Sequence, residues 1–157
     1  MLRNRPLTVA TALLVTLGTI GIGVATAQQP SVGEQAVKYR KALYQVIVWD
    51  VAPLGAMAQD KMPFDAKDFA RRAEHVAYLT PLLADAYPAE SRGVTDTKLK
   101  PEMWTNRADF DQKMQALVDR SAALSAAAKT GDEAKMKAAF FEMGNACKDC
   151  HDKYRNK

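Results

Sequence analysis

Four separate stretches of this chain carry a side-chain stripe that recurs at alternating steps of three and four. Only amphipathic helices bury such a stripe on one face. The first stripe runs Val37, Arg40, Tyr44, Ile47, Val51, Leu54, Ala58, and the second Phe69, Ala73, Val76, Thr80, Leu83, Tyr87. The third is Phe110, Met114, Leu117, Ser121, Leu124, Ala128, and the fourth Phe140, Met143, Cys147, Cys150, Tyr154. No stretch alternates convincingly with a period of two, so no strand is expected. Four one-sided helices bury their stripes against one another, and the expected fold is all-α: an antiparallel up-down-up-down four-helix bundle.

The punctuation between the stripes agrees. "DKMPFD" separates the first two and places Asp65 as an N-cap. "KTGD" separates the last two, with Gly131 as terminator and Asp132 as the next cap. Pro53 and Pro81 fall inside helical patterns, and a kink or loosened turn is expected at each. The long connection "PAESRGVTDTKLKPEMW" joins the second helix to the third, and connections of that length usually serve a function.

The N-terminal segment does not belong to this bundle. "MLRNRP" carries Arg3 and Arg5, an uncharged apolar run follows, and Ala25-Thr26-Ala27 closes it. That order predicts a secretory signal peptide, residues 1–27, cut after Ala27. The rival is an uncleaved anchor, since a spanning helix needs roughly 20 apolar residues. The Ala-x-Ala site and the interruptions at Gly18, Gly21 and Gly23 favour cleavage. Residues 28–157 then form one domain that is not embedded in a membrane. The formal charge of +4 comes from 22 basic and 18 acidic residues. Losing Arg3 and Arg5 leaves 20 basic residues against the same 18 acids, or +2. No basic run or aromatic-basic interleaving points to nucleic acid.

Both cysteines lie at the far end, in "NACKDCHDKYRNK", where Cys147, Cys150 and His151 form C-x-x-C-H. On a helix, residues three and four apart share a side, so two thiols and an imidazole project together. Covalent haem attachment needs that set: the thiols add to the two vinyl groups, and the imidazole serves as proximal iron ligand. A closed zinc site wants four tetrahedral ligands, and the only other histidine, His75, lies off the buried stripe and reads as a surface residue. A thioredoxin-like dithiol wants a βαβ context and a helix N-terminus, whereas this motif ends a helix. A structural disulfide closing so small a loop adds little. One covalently bound haem c per chain is the expected cofactor. In an up-down bundle the end of the fourth helix shares a level with the start of the first, the end of the second and the start of the third. Arg40, Tyr44, Tyr87 and Trp104 are therefore the expected neighbours of the motif.

Since only "DKYRNK" follows the motif, any sixth ligand to the iron comes from upstream. Here the chain resembles the cytochromes c′, the class II c-type cytochromes, from Val37 to Arg155. The resemblance rests on "AVKYRKALY", "MPFDAKDFARRAE", "KPEMW" and, most specifically, "GNACKDCHDKYR". It implies a periplasmic haem protein, often a homodimer, with a five-coordinate high-spin iron that carries electrons to and from redox partner proteins and binds nitric oxide or carbon monoxide. It also implies that Tyr44 covers the open haem face, that Arg40 approaches a propionate, and that Arg155 lies beside His151. The loop before the third helix has its own length, so its propionate contacts do not carry over.

Three function classes make different demands. A pure electron carrier benefits from low-spin, six-coordinate iron, and the resemblance implies that the sixth ligand would then be a methionine near Tyr44, where this sequence has none. Met57 is thirteen residues further on, about 20 Å along the axis. Met143 sits about two turns before His151 on its own helix. Met103 lies at the right end and is the one alternative ligand. A peroxidase-like enzyme needs a distal base to move a proton, and no histidine falls at that level, so no enzyme activity is expected. Val48, Trp49, Tyr78, Leu79 and Leu82 stand outside the stripes; they broaden the core or form a face for a second copy, and the resemblance favours a homodimer through the first two helices.

Overall fold

A computed structural model describes residues 29–157, and the leader expected over 1–27 lies outside them. Four helices follow in order: α1 Val32–Ala58, α2 Ala66–Leu79, α3 Arg107–Ala128 and α4 Glu133–Tyr154. They pack as the expected four-helix bundle, and among the described residues no helix is long and apolar enough to cross a membrane. The second and third stripes are buried at every position, as are Val37, Ile47, Leu54 and Ala58 of the first. Leu43, Asp50 and Met57 of α1 are buried as well, which widens that stripe beyond its three-four spacing.

Local chemistry accounts for the helix starts. Ser31 and Glu34 form a reciprocal capping box at the head of α1: the hydroxyl accepts the Glu34 N–H, and the carboxylate accepts the Ser31 N–H at 2.7 Å. Asp65 accepts the N–H groups of Lys67 and Asp68, and Asp132 accepts that of Lys135. Gly131 turns the chain between α3 and α4 at φ 70°, a left-handed conformation that costs glycine nothing.

The two prolines act differently. α1 runs unbroken through Pro53, which has no N–H for the carbonyl of Trp49 one turn earlier. Arg72 of α2 reaches across instead, 3.4 Å from that carbonyl oxygen and 3.2 Å from Asp50 Oδ1. The freed acceptor thus becomes an α1–α2 tie. At Pro81 the α-helix does end, and Thr80–Ala86 continues as a tighter 3₁₀ helix. At this junction the Thr80 and Ser121 hydroxyls pair at 2.6 Å, fully buried, and Ser121 also donates to the Val118 carbonyl.

The long connection is more ordered than a plain loop. Short 3₁₀ helices occupy Ala89–Ser91 and Pro101–Trp104. Gly33 lets the first of these sit against α1, because a Cβ there would come within 2.2 Å of the Glu90 carbonyl oxygen. Further on, Leu99 pairs with Arg155 in an isolated antiparallel bridge. The Lys100 N–H donates to Tyr154 O and the Asn156 N–H to Lys98 O, both at 2.8 Å. The chain end is thereby clasped to the loop.

Candidate functional site

α4 carries the motif on its last two turns. Cys147 and Cys150 are free thiols, half-buried and packed against the core. Burial pushes both thiols up, although Lys113 works the other way on Cys150. Such thiols are poor nucleophiles at neutral pH, which counts against a reactive dithiol. His151 follows on the exposed side; partial burial and the neighbouring Arg155 both lower its pKa, and Asp152 opposes them. The ring is therefore neutral at pH 7, the state in which a nitrogen lone pair is free for a metal. Among the described residues no three His, Cys, Asp or Glu side chains converge to hold a metal ion, so the motif is not a chelate by itself.

Arg155 reaches the neighbourhood of His151 by a different route from the one expected. Four residues after His151, a continuing helix would set Arg155 on the same side, but α4 ends at Tyr154 and Arg155 has extended backbone, φ −115° and ψ 130°. The bridge to Leu99 holds it there. Tyr154 makes the anchor: it is buried, its hydroxyl bonds Asp109 of α3, and its ring meets the edge of Phe110 at 5.5 Å.

Across from the thiols stand two phenols. Tyr44 on α1 is half-buried, and its hydroxyl lies 2.9 Å from that of Tyr87, just past the 3₁₀ helix Thr80–Ala86. Burial raises the pKa of both, Tyr44 by far the more, and the two thiols contribute at Tyr44 while Cys150 does at Tyr87. Both phenols are thus neutral at pH 7 and lie close enough to the thiols for their ionisations to be coupled.

Arg40 closes the group. It is only 4% exposed, and its guanidinium sits 4.6 Å over the Tyr87 ring. It donates to the Ala86 carbonyl at 3.1 Å and to Thr97 Oγ1 at 3.3 Å. Among the described residues it has no carboxylate partner, which is unusual for a buried cation. Trp104 shares this end but looks elsewhere: Arg92 lies 5.5 Å over its ring and donates to its carbonyl. Of the expected neighbours, Tyr44 and Tyr87 thus stand near the thiols and Arg40 stands against the two phenols, while Trp104 packs on the core.

Sequence reasoning missed Arg107, which donates to the Tyr87 carbonyl at 2.9 Å, and Thr97, which holds Arg40. Neither belongs to a periodic pattern, so nothing local singles them out. His75 is half-exposed as expected, but it has a partner: its Nδ1 is 3.3 Å from Asp50 Oδ2. Met57, Met103 and Met143 are all buried in the core.

The donor set suits a haem c. Two thiols on adjacent turns offer thioether bonds, a neutral imidazole follows, and a buried guanidinium without a carboxylate suits an anionic substituent.

Comparison with known proteins gives the same direction. The cytochrome c′ family model matches residues 35–155. A cytochrome c′ of Rubrivivax gelatinosus is 41% identical over 126 residues, covering 78% of this chain and 95% of that protein. Its type of fold recurs in the crystal structure of cytochrome c′ from Rubrivivax gelatinosus, TM-score 0.76 and 36% identity, over 82% of this chain and all of that one. A nitric oxide complex of a variant cytochrome c′ from Alcaligenes xylosoxidans superimposes at TM-score 0.74, with 34% identity over 82% of this chain and all of that one. A match of that extent leaves one assignment: the chain belongs to the cytochrome c′ family, which carries covalently bound haem c.

Proposed function

We propose that this protein is an exported, periplasmic haem c protein with a five-coordinate, high-spin iron, serving electron transfer and the binding of nitric oxide or carbon monoxide. Bound at the motif, haem c supplies an iron that changes between ferrous and ferric and accepts a small ligand. The chain's residues do the rest. Cys147 and Cys150 hold the group covalently, and His151 offers its neutral ring nitrogen on one side. Arg40 supplies a buried positive charge for a carboxylate. Arg155, clasped to Leu99, keeps a positive charge beside His151.

The observation that carries this reading is Tyr44. Its hydroxyl is engaged by Tyr87, and its pKa lies well above the ordinary phenol value. A neutral phenol is a poor iron ligand, so the ring covers the open side without occupying it. Its bulk excludes large ligands and yields to diatomic ones. The three buried methionines are engaged in the core, which counts against the low-spin alternative with Met103 as ligand. His75 is engaged by Asp50, which counts against a peroxidase-like distal base.

A visible spectrum of the purified protein, ferric and ferrous, tests the reading. High-spin bands that shift on adding carbon monoxide are expected; a six-coordinate low-spin spectrum in both states would sink it. The mass of the denatured protein reads two further points at once. It should begin at Gln28, as cleavage after Ala27 requires, and it should retain one haem.

The homodimer belongs to the same proposal. Tyr39, Val46 and Trp49 line one exposed side of α1, and Tyr78 and Leu82 follow on the adjoining segment. Contiguous exposed apolar residues of this kind mark interaction faces. Leu79 packs on the core instead, and Val48, two positions from Val46, projects away from this side of the helix. Trp49→Asp should convert a sedimenting dimer to a monomer; wild-type protein that sediments as a monomer at high concentration would exclude it.

A further inference from the structure

Tyr44 approaches the thiols from a half-buried position on α1, with one polar atom at its tip. That atom is held by Tyr87 Oη at 2.9 Å. Tyr87 is fixed from several directions. The Arg40 guanidinium lies 4.6 Å over its ring, the Phe110 ring meets it edge-on at 4.8 Å, and Arg107 donates to its carbonyl oxygen. Only 5% of Tyr87 is exposed. One phenol is therefore anchored by α1, α3 and its own backbone, while the other is partly buried at the edge of the core and makes one side-chain hydrogen bond among the described residues, the bond between them.

We propose that Tyr87 is the positioning residue for Tyr44: its hydroxyl latches the Tyr44 ring in the covering position and so sets how fast a small gas reaches the site. This inference rests on the gas-binding reading above. A ligand enters when the Tyr44 ring moves aside, and that movement breaks the Tyr44–Tyr87 hydrogen bond. Water does not readily replace it at a site where burial dominates the properties of both phenols. The barrier to opening therefore includes the net strength of one neutral hydrogen bond.

Tyr87→Phe removes the latch and little else. The ring keeps its edge contact with Phe110 and its place under Arg40, and the Arg107 bond is to the backbone. Carbon monoxide association with the ferrous protein, followed by stopped flow, should become about two- to tenfold faster, the range one neutral hydrogen bond allows. Tyr44→Phe cuts the same bond from the other side. The two single variants and the double variant should all associate carbon monoxide at similar rates, because only one interaction is lost. Independent structural effects would instead multiply in the double variant.

A second readout does not depend on the rate. In ring-labelled ferrous protein without added gas, where the Tyr44 ring still covers the site, the Cζ resonance of Tyr44 should shift in Tyr87→Phe, as its hydroxyl loses its partner. Unchanged rate and unchanged Tyr44 resonance in Tyr87→Phe would overturn the latch while leaving gas binding intact. Wild-type protein that takes up no carbon monoxide would overturn the gas-binding reading and the latch with it.

Discussion

Where α1 turns into α2 and α3 into α4, the chain reverses over residues 59–65 and 129–132, and the helix ends meet in side chains that are almost wholly apolar. Leu54, Met57, Phe69, Leu124 and Met136 are all fully buried there. At the opposite end the chain takes residues 80–106 to return from α2 to α3, and polar groups enter the interior. Arg40, Tyr44, Tyr87 and the two thiols stand among buried apolar residues such as Leu83 and Met103, and a backbone bridge ties the loop to the chain end. One end is held by close packing alone, the other by packing together with directed bonds around the proposed haem site. The motif lies on the last two turns of α4, which deliver it to the end where the long connection is clasped to the chain. Short capped turns suffice where nothing but a core has to be closed.

The comparison can be broken by removing each kind of support in turn. Phe69→Ala opens a cavity in the apolar end and should destabilise the protein by about 3–5 kcal/mol, read by denaturant unfolding. Its visible spectrum should match the wild type, and a loss below 1 kcal/mol would deny that this end is held by packing.

Lys100→Pro tests the clasp at the other end. Lys100 has φ −74° and ψ 141°, which proline adopts without strain, so the change mainly removes the N–H given to Tyr154 O and the side-chain bond to Asp152 O. A destabilisation of about 1–2 kcal/mol is expected. A shift in the visible spectrum should accompany it, because Arg155 and His151 adjoin the clasp. An unmoved spectrum would mean that the clasp supports the loop alone.

Asp65→Ala sharpens the contrast at the smallest scale. It removes the cap of α2 at the apolar end, about 1 kcal/mol by thermal unfolding, with no spectral change.

How far the molecule could be read in advance follows the same division. Periodicity placed the four helices, and Asp65, Gly131 and Asp132 marked where they start or stop, because helix caps are local chemistry acting over three or four residues. The Ser31–Glu34 capping box was equally local and carried a sequence signal, S-x-x-E, that a closer reading would have used. The phenols and the buried arginine were legible through bundle geometry, which sets residues of different helices at one level. The bonds among them were not. That Tyr44 meets Tyr87 hydroxyl to hydroxyl depends on the 3₁₀ segment Thr80–Ala86; Pro81 signalled a loosened turn there, but not where that turn would set Tyr87.

Sequence by itself determined the helical class, the order of the helices, their caps and the grouping of Cys147, Cys150 and His151 on the last turns of one helix, since each depends on residues within a turn or two of one another. Tertiary structure alone decided that Arg72 would satisfy the carbonyl freed by Pro53, that Gly33 would admit the Glu90 carbonyl, and that Arg155 would leave the helix to pair with Leu99. These contacts join residues far apart in the chain. Hydrogen-bond partners at such separations are chosen by which groups the packed helices leave unsatisfied, and that becomes defined only once the bundle has closed.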